Sequence, residues 1–141
     1  GAESYGADYQ SQLSRLASGN SRIRFLGFQS GETLDQLYAH ALLFVHASEA
    51  EGLPVAVLEA MSFGLPVLVS DIPENLEALH HTGFTFTSES VPDLAQVLAG
   101  LLRHPRLLEQ ARGESRKVIE QFFNWDTIAQ ETLAAYRSLR H

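Results

Sequence analysis

The sequence predicts an α/β fold in which helices cover both faces of a parallel sheet, a three-layer arrangement. Three observations carry this. Short runs able to form strands, among them Leu42–Ala47 and Pro66–Ser70, alternate with segments whose apolar residues recur at helical spacing. Both named runs are largely apolar, as strands buried on both faces require. The first of them passes through a glycine turn straight into a helix over Ser48–Met61, where open α/β sheets receive ligands. A length of 141 residues predicts one domain over 1–141, large enough to bury about 68–70% of its unfolded surface.

The elements follow in order. Gly1–Gly6 is small and polar, and Tyr9, Leu13, Leu16 and Ala17 then mark an amphipathic helix over Ala7–Ala17 that Ser18-Gly-Asn-Ser21 breaks. Arg22–Gly27 alternates as a short strand. Ser30-Gly-Glu opens a second helix with Leu34, Leu37, Tyr38 and Ala41 on one face. The strand Leu42–Ala47 leads through its turn into a helix over Pro54–Phe63, which Gly64 closes. Pro66–Ser70 is a buried strand. Asp71 stands where it can cap the N–H of Glu74, with Pro73 in the first turn of the next helix. Gly83–Thr87 alternates as a last strand, and Ser90-Val-Pro-Asp93 caps a helix whose stripe is Leu94, Val97, Leu98 and Leu101. After His104-Pro105 a longer helix turns Leu108, Ala111, Val118, Ile119 and Phe122 inward. Asn124 caps the final helix, on which Trp125, Ile128, Ala129, Leu133 and Tyr136 share a side.

Composition narrows the function. Hydrophobic residues are 45% and charged ones 19%, a globular balance. A net charge of −7 argues against a phosphate-backbone footprint, so no nucleic acid partner is expected. With no cysteine there is no disulfide and no thiolate chemistry, which agrees with a cytoplasmic location. No apolar run approaches the roughly 20 residues that cross a bilayer.

The chemistry is expected at Ser48–Met61. Gly52 permits close backbone approach, Pro54 suits a first helical turn, and free N–H groups at the helix start favour phosphate or oxygen-rich ligands. Glu51 on the turn and Glu59 within the helix frame this mouth.

The series Ser48-Glu-Ala-Glu51-Gly-Leu-Pro54, Leu58-Glu59-Ala-Met61, Gly64-Leu-Pro-Val67 and Ser70-Asp-Ile-Pro-Glu-Asn75, continued by Phe122-Phe-Asn-Trp125, closely resembles the EX7E region of retaining GT-B glycosyltransferases of family GT4, the group 1 glycosyl transferases. Two glutamates eight apart are weak evidence alone; the ordered series is specific. The resemblance implies a Rossmann-like C-terminal domain that binds a nucleotide-diphosphate sugar, with retention of configuration, no cofactor and no metal. In it Glu51 meets hydroxyls of the transferred sugar and is the catalytic residue. Glu59 accepts from the ribose hydroxyls, and backbone N–H groups of Gly52, Leu53 and Val55 meet sugar and diphosphate. Ser48 contacts phosphate or caps the turn, and the backbone at Gln29 falls where the base is read. The donor half would serve transfer of a hexose-type sugar to a glycan, lipid or polysaccharide acceptor.

The same resemblance implies a domain lacking its first strands, the Arg and Lys that face the leaving diphosphate, and the acceptor-binding N-terminal Rossmann-like domain, its expected partner. Membrane contact would come only through that domain, and the chain alone is expected to be inactive. The family strand order 3-2-1-4-5-6 makes Arg22–Gly27 strand 3 and Leu42–Ala47 strand 4. Strand 3 would then pair with strand 4, self-associate with another chain, or leave a gap that a separate polypeptide fills. Two departures stand out: Glu51-Gly-Leu-Pro54 replaces the frequent Glu-Gly-Phe-Gly, removing one N–H, and His46-Ala47 replaces Pro-Ser.

Simpler readings apply to other residues. Glu49 is expected as a solvated charge, Asp71 and Glu74 as a capping pair, and His80-His81 as surface residues without a third metal ligand. His46, at a strand end, has two readings, reaching the ligand or packing, and packing is the expected one. Trp125 and Tyr136 are expected in the core or at a domain contact. The competing functional class is a non-catalytic nucleotide-binding or interaction module on the same scaffold. A phosphorylase or epimerase is a weaker enzymatic alternative; the first needs a cofactor lysine, and Lys117, on an outer helix, is the only lysine.

Overall fold

A computed structural model describes residues 7–139. In chain order the elements are α1 (Ala7–Leu16), α2 (Gly31–His40), β1 (Phe44–His46), α3 (Val55–Ser62), β2 (Val67–Ser70), α4 (Pro73–Leu79), β3 (Phe84–Phe86), α5 (Val91–Arg103), α6 (Pro105–Phe122) and α7 (Trp125–Ser138). The backbone forms two compact units that meet in sequence between Leu37 and Tyr38, within α2.

In the first unit α1 ends in turn bonds from Ser18 N–H to Arg15 and from Asn20 N–H to Ala17. The expected strand at Arg22–Gly27 is not formed. These residues carry no regular structure and are exposed throughout, including Ile23, Phe25 and Leu26. Alternation gives a segment strand character only where a neighbour supplies ladder partners for its N–H and C=O groups; here Arg22 and Ile23 N–H turn back on Asn20 and Leu26 O accepts from Gln29 instead. Among the described residues Arg22–Gly27 joins no ladder, so its expected pairing with Leu42–Ala47 is not formed.

The second unit is built on a parallel sheet in the order β1-β2-β3. Phe44, Val45 and His46 stand opposite Val67, Leu68 and Val69, and Leu68, Val69 and Ser70 opposite Phe84, Thr85 and Phe86. All four residues of the central strand β2 are buried, as strand coverage on both faces demands. Leu68, Phe86, Leu101 and Leu108 form a core cluster against which Leu43, Phe84, Leu94, Val97 and Leu98 pack. Burying side chains such as Leu68 or Leu108 contributes roughly 1.5–3 kcal/mol each. Val57, Ala60 and Met61 are fully buried on α3.

Turns are set by local chemistry. Gly64 adopts φ +71 and donates to Met61 O at 2.8 Å, while Leu65 N–H reaches Ala60 O at 3.1 Å, so α3 closes where the glycine predicts. At Gly83, with φ +72, an added Cβ would lie 3.0 Å from side-chain carbons of Leu79 and Val67 and 3.1 Å from Val67 O. Ser90 and Asn124 cap α5 and α7 as expected, accepting from Asp93 N–H at 3.3 Å and Asp126 N–H at 2.9 Å.

Other expectations are corrected. Asp71 does not cap α4: Ile72 is the N-cap residue, and Asp71 Oδ1 accepts from Ser88 N–H at 2.7 Å, tying the ends of β2 and β3. The later loop offers a donor that competes with the helix start. Phe122 is 44% exposed, although its ring stacks on His80 at 3.9 Å. His80 is therefore an aromatic partner rather than a bare surface residue. α7 buries none of its side chains, and Trp125 and Tyr136 are 81% and 68% exposed, which removes the core alternative for them and leaves the domain-contact one. A helical stripe shows that one face is apolar; it does not supply the surface to bury it.

Candidate functional site

The carboxyl ends of all three strands open on one cleft of about 350 Å³, lined by Ala47, Ser48 and Glu49 after β1, Ser70 at the end of β2, Phe86 of β3, and Glu89, Ser90, Val91 and Leu94. A larger and more open hollow of about 480 Å³ lies at the other end of α3, among Phe63, Gly64, Arg112 and Arg116. Arg112 there donates to the carbonyl of Ala41 at 2.9 Å, a structural tie between α6 and the approach to β1. Of the candidate residues Ser48 lines the strand-end cleft, and Glu51, Gly52 and Leu53 follow it on the turn that leaves β1.

The loop between β1 and α3 is anchored from below. Ser70 Oγ donates to the carbonyl of Ser48 at 2.5 Å, and the fully buried Asn75 donates from Nδ2 to Ser70 O and Ser70 Oγ, both at 3.0 Å. These bonds fix where the turn leaves the sheet. Ser48 Oγ itself is buried and has no partner among the described residues. A buried hydroxyl normally has one, so this atom is available to a ligand or water.

Glu51 sits on the turn, half-buried, and its Oε1 lies 2.8 Å from His46 Nε2. His46 thus does more than pack. Pro54 is the N-cap of α3, one place earlier than expected, with no side-chain cap. Val57 and Leu58 donate to Pro54 O, while Val55 N–H donates to Leu53 O at 2.8 Å. The expectation that Val55 N–H is free for a ligand is therefore corrected, because the tight turn at Pro54 turns it back on its own chain. Gly52 and Leu53 N–H groups have no acceptor among the described residues. Both residues are exposed.

Glu59 is exposed on α3 and receives the Tyr38 hydroxyl at Oε2, 3.4 Å away. Burial, then the Glu59 charge, then this hydrogen bond push the Tyr38 phenol above its ordinary value. Glu49 is exposed. Gln29 belongs to the first unit, where its side-chain amide donates to Leu26 O at 2.6 Å. Among the described residues no cluster of His, Cys, Asp and Glu is arranged to hold a metal ion. Ser70, Asn75 and Tyr38 are the residues that sequence reasoning left without a role at the site, and for His46 it favoured packing over a ligand role. Only the Ser70-Asp-Ile-Pro-Glu-Asn75 run hinted at two of them.

Residues 5–118 match the family described as Glycosyl transferases group 1. The chain belongs to that family. It is 36% identical over 124 residues to the sulfoquinovosyl transferase SQD2 of Arabidopsis thaliana, covering 83% of this chain and 24% of that protein. It is 30% identical over 128 residues to the O-antigen chain mannosyltransferase B of Escherichia coli, covering 91% and 33%. Among solved structures, sucrose-phosphate synthase of Thermosynechococcus elongatus superposes with a TM-score of 0.82 at 25% identity over 94% of this chain and 34% of that one. Anabaena HepE, solved with UDP and glucose, gives 0.80 at 27% identity, covering 93% and 36%. The chain spans about a quarter to a third of the length of these relatives. Their parallel α/β architecture is the one described above.

Proposed function

We propose that this chain is the donor half of a retaining glycosyltransferase of the GT4 type, binding a nucleotide-diphosphate sugar for transfer of a hexose-type sugar to a glycan, lipid or polysaccharide acceptor. The observation that carries the reading is the juxtaposition, on one turn at the carboxyl end of β1, of the Glu51 carboxylate with the unoccupied N–H groups of Gly52 and Leu53. Oriented N–H donors beside a helix start favour a diphosphate and the charge that develops on it as the sugar leaves. Glu51, an acceptor-only group when ionised, orients hydroxyls of the sugar, and Glu59 accepts from the ribose. A relative solved with UDP and glucose supports the donor class. Losing one oriented donor in such a site costs about 2.7–4 kcal/mol of transition-state stabilisation. The reading needs no metal, and it assigns acceptor binding and the cations facing the diphosphate to residues other than these. The chain alone therefore binds donor and does not turn it over.

The test is an NMR titration of the isotope-labelled chain with UDP, GDP and ADP. Shifts confined to Gly52, Leu53 and Glu59 within the second unit, and strongest with one base, are the expected result. Flat spectra from a folded chain would overturn the donor-site reading, and turnover of a nucleotide sugar by the chain alone would overturn its inactivity.

A further inference from the structure

Four aromatic rings of the second unit form a continuous row. Phe63 lies 5.5 Å from Tyr38, Tyr38 5.8 Å from Phe44, and Phe44 6.1 Å from His46, centroid to centroid. Its two polar members each hold one glutamate of the motif: Tyr38 reaches Glu59, and His46 reaches Glu51. The shorter contact is the one at His46, 2.8 Å from Nε2 to Oε1.

We propose that His46 is a positioning residue for Glu51, donating from Nε2 to Oε1 so that Oε2 is presented to the hydroxyls of the donor sugar. This rests on the donor-site reading above and adds to it the residue that makes Glu51 selective for the sugar. An ionised carboxylate only accepts, so the nitrogen facing it must carry the proton. That bond uses one oxygen. The other has no partner among the described residues and remains an acceptor.

The imidazole is itself restrained. Phe44 and His46 lie on the same side of β1, because successive strand residues point to opposite faces, and their rings are 15° from parallel. Tyr38 meets Phe44 edge-on and closes the row from α2. Side-chain exposures of 23% for His46 and 27% for Glu51 leave the pair partly shielded, where a charge-assisted bond is stronger than on an open surface. Glu51 stands on a loop, so without this bond its carboxylate has no fixed direction. Packing on Phe44 alone would not require Nε2 to face a carboxylate.

The test compares wild type, His46→Leu and His46→Gln by calorimetric titration with two ligand pairs, UDP-glucose with UDP and GDP-mannose with GDP. Glutamine keeps an amide N–H near the Nε2 position, and leucine removes it. His46→Leu is expected to bind the nucleotide sugar about tenfold more weakly while binding of the diphosphate stays within about twofold, and His46→Gln to recover most of the loss. Equal losses on sugar and diphosphate, or no loss on either, overturn the inference and leave the donor site standing. Wild type that binds none of the four overturns the donor-site reading and this inference with it. Imidazole 15N spectra of wild type provide a readout independent of the variants' folding. A protonated Nε2 whose signal moves in Glu51→Gln is expected, and an unprotonated Nε2 overturns the assignment.

Discussion

The hydroxyl of Tyr38 lies 3.4 Å from Glu59 Oε2 and 3.5 Å from the carbonyl of Ala56, so a buried phenol at the end of α2 holds an exposed carboxylate on α3. Tyr38→Phe keeps the ring against Phe44 and Phe63 and removes only the bond. At this length the stability loss should be at the low end of the range of about 0.5–1.5 kcal/mol for a net hydrogen bond. Nucleotide affinity should fall about two- to fivefold through the loosened Glu59. Denaturant unfolding and a UDP titration measure the two separately.

The same pair makes stability depend on alkaline pH. Tyr38 holds its proton above the ordinary value of 10.0, because burial and the neighbouring Glu59 disfavour the phenolate. A raised folded-state value contributes stability that is complete below the unfolded value and is lost as pH rises through the folded one. Thermal unfolding from pH 8 to pH 11.5, conditions chosen around that value of about 10, should therefore show wild type losing stability more steeply than Tyr38→Phe. Parallel curves would remove Glu59 as a partner of the phenol.

Glu59→Ala should leave the fold intact, since the side chain is exposed and its loss opens no cavity. Nucleotide binding should weaken at least tenfold if the carboxylate accepts from ribose hydroxyls. A 2′,3′-dideoxy nucleoside diphosphate should bind wild type and Glu59→Ala alike. Full affinity of the variant for UDP and GDP would remove the ribose role.

Asn75→Ala should destabilise by about 1–3 kcal/mol, because it leaves the carbonyl and hydroxyl of the buried Ser70 without their donor. Ser70 in turn holds the Ser48 carbonyl, so the loss should extend to the turn before Glu51. Faster amide exchange at Val57 and Leu58, whose N–H groups donate to Pro54 O at the start of α3, with exchange at Gly64 unchanged, is the expected pattern.

Gly83→Ala combines a left-handed backbone with contacts of 3.0–3.1 Å on Val67 and Leu79. The two effects together predict a loss of about 2–4 kcal/mol. The added atom meets the backbone of β2 as well as side chains, so little of the strain can relax. Chemical denaturation of the purified variant tests this directly.

What the sequence determined by itself is local conformation and the order of parts. The apolar runs around Phe44–His46, Val67–Ser70 and Phe84–Phe86, the stop at Gly64, and the caps at Ser90 and Asn124 all depend on residues within a few positions of one another. The Glu51 and Glu59 spacing is equally visible, because a turn and a helix carry it without help from distant chain. Tertiary structure alone decided the rest. Tyr38 meets Glu59 from 21 residues away, and Ser70 meets Ser48 from 22 residues away, pairs that exist only because the second unit folds Tyr38 and β2 against the β1–α3 segment. Asp71 left its expected cap because the loop after β3 brings it the N–H of Ser88. Arg22–Gly27 formed no strand and α7 buried nothing, because alternation and a helical stripe describe which atoms seek partners, and only the surrounding chain supplies them.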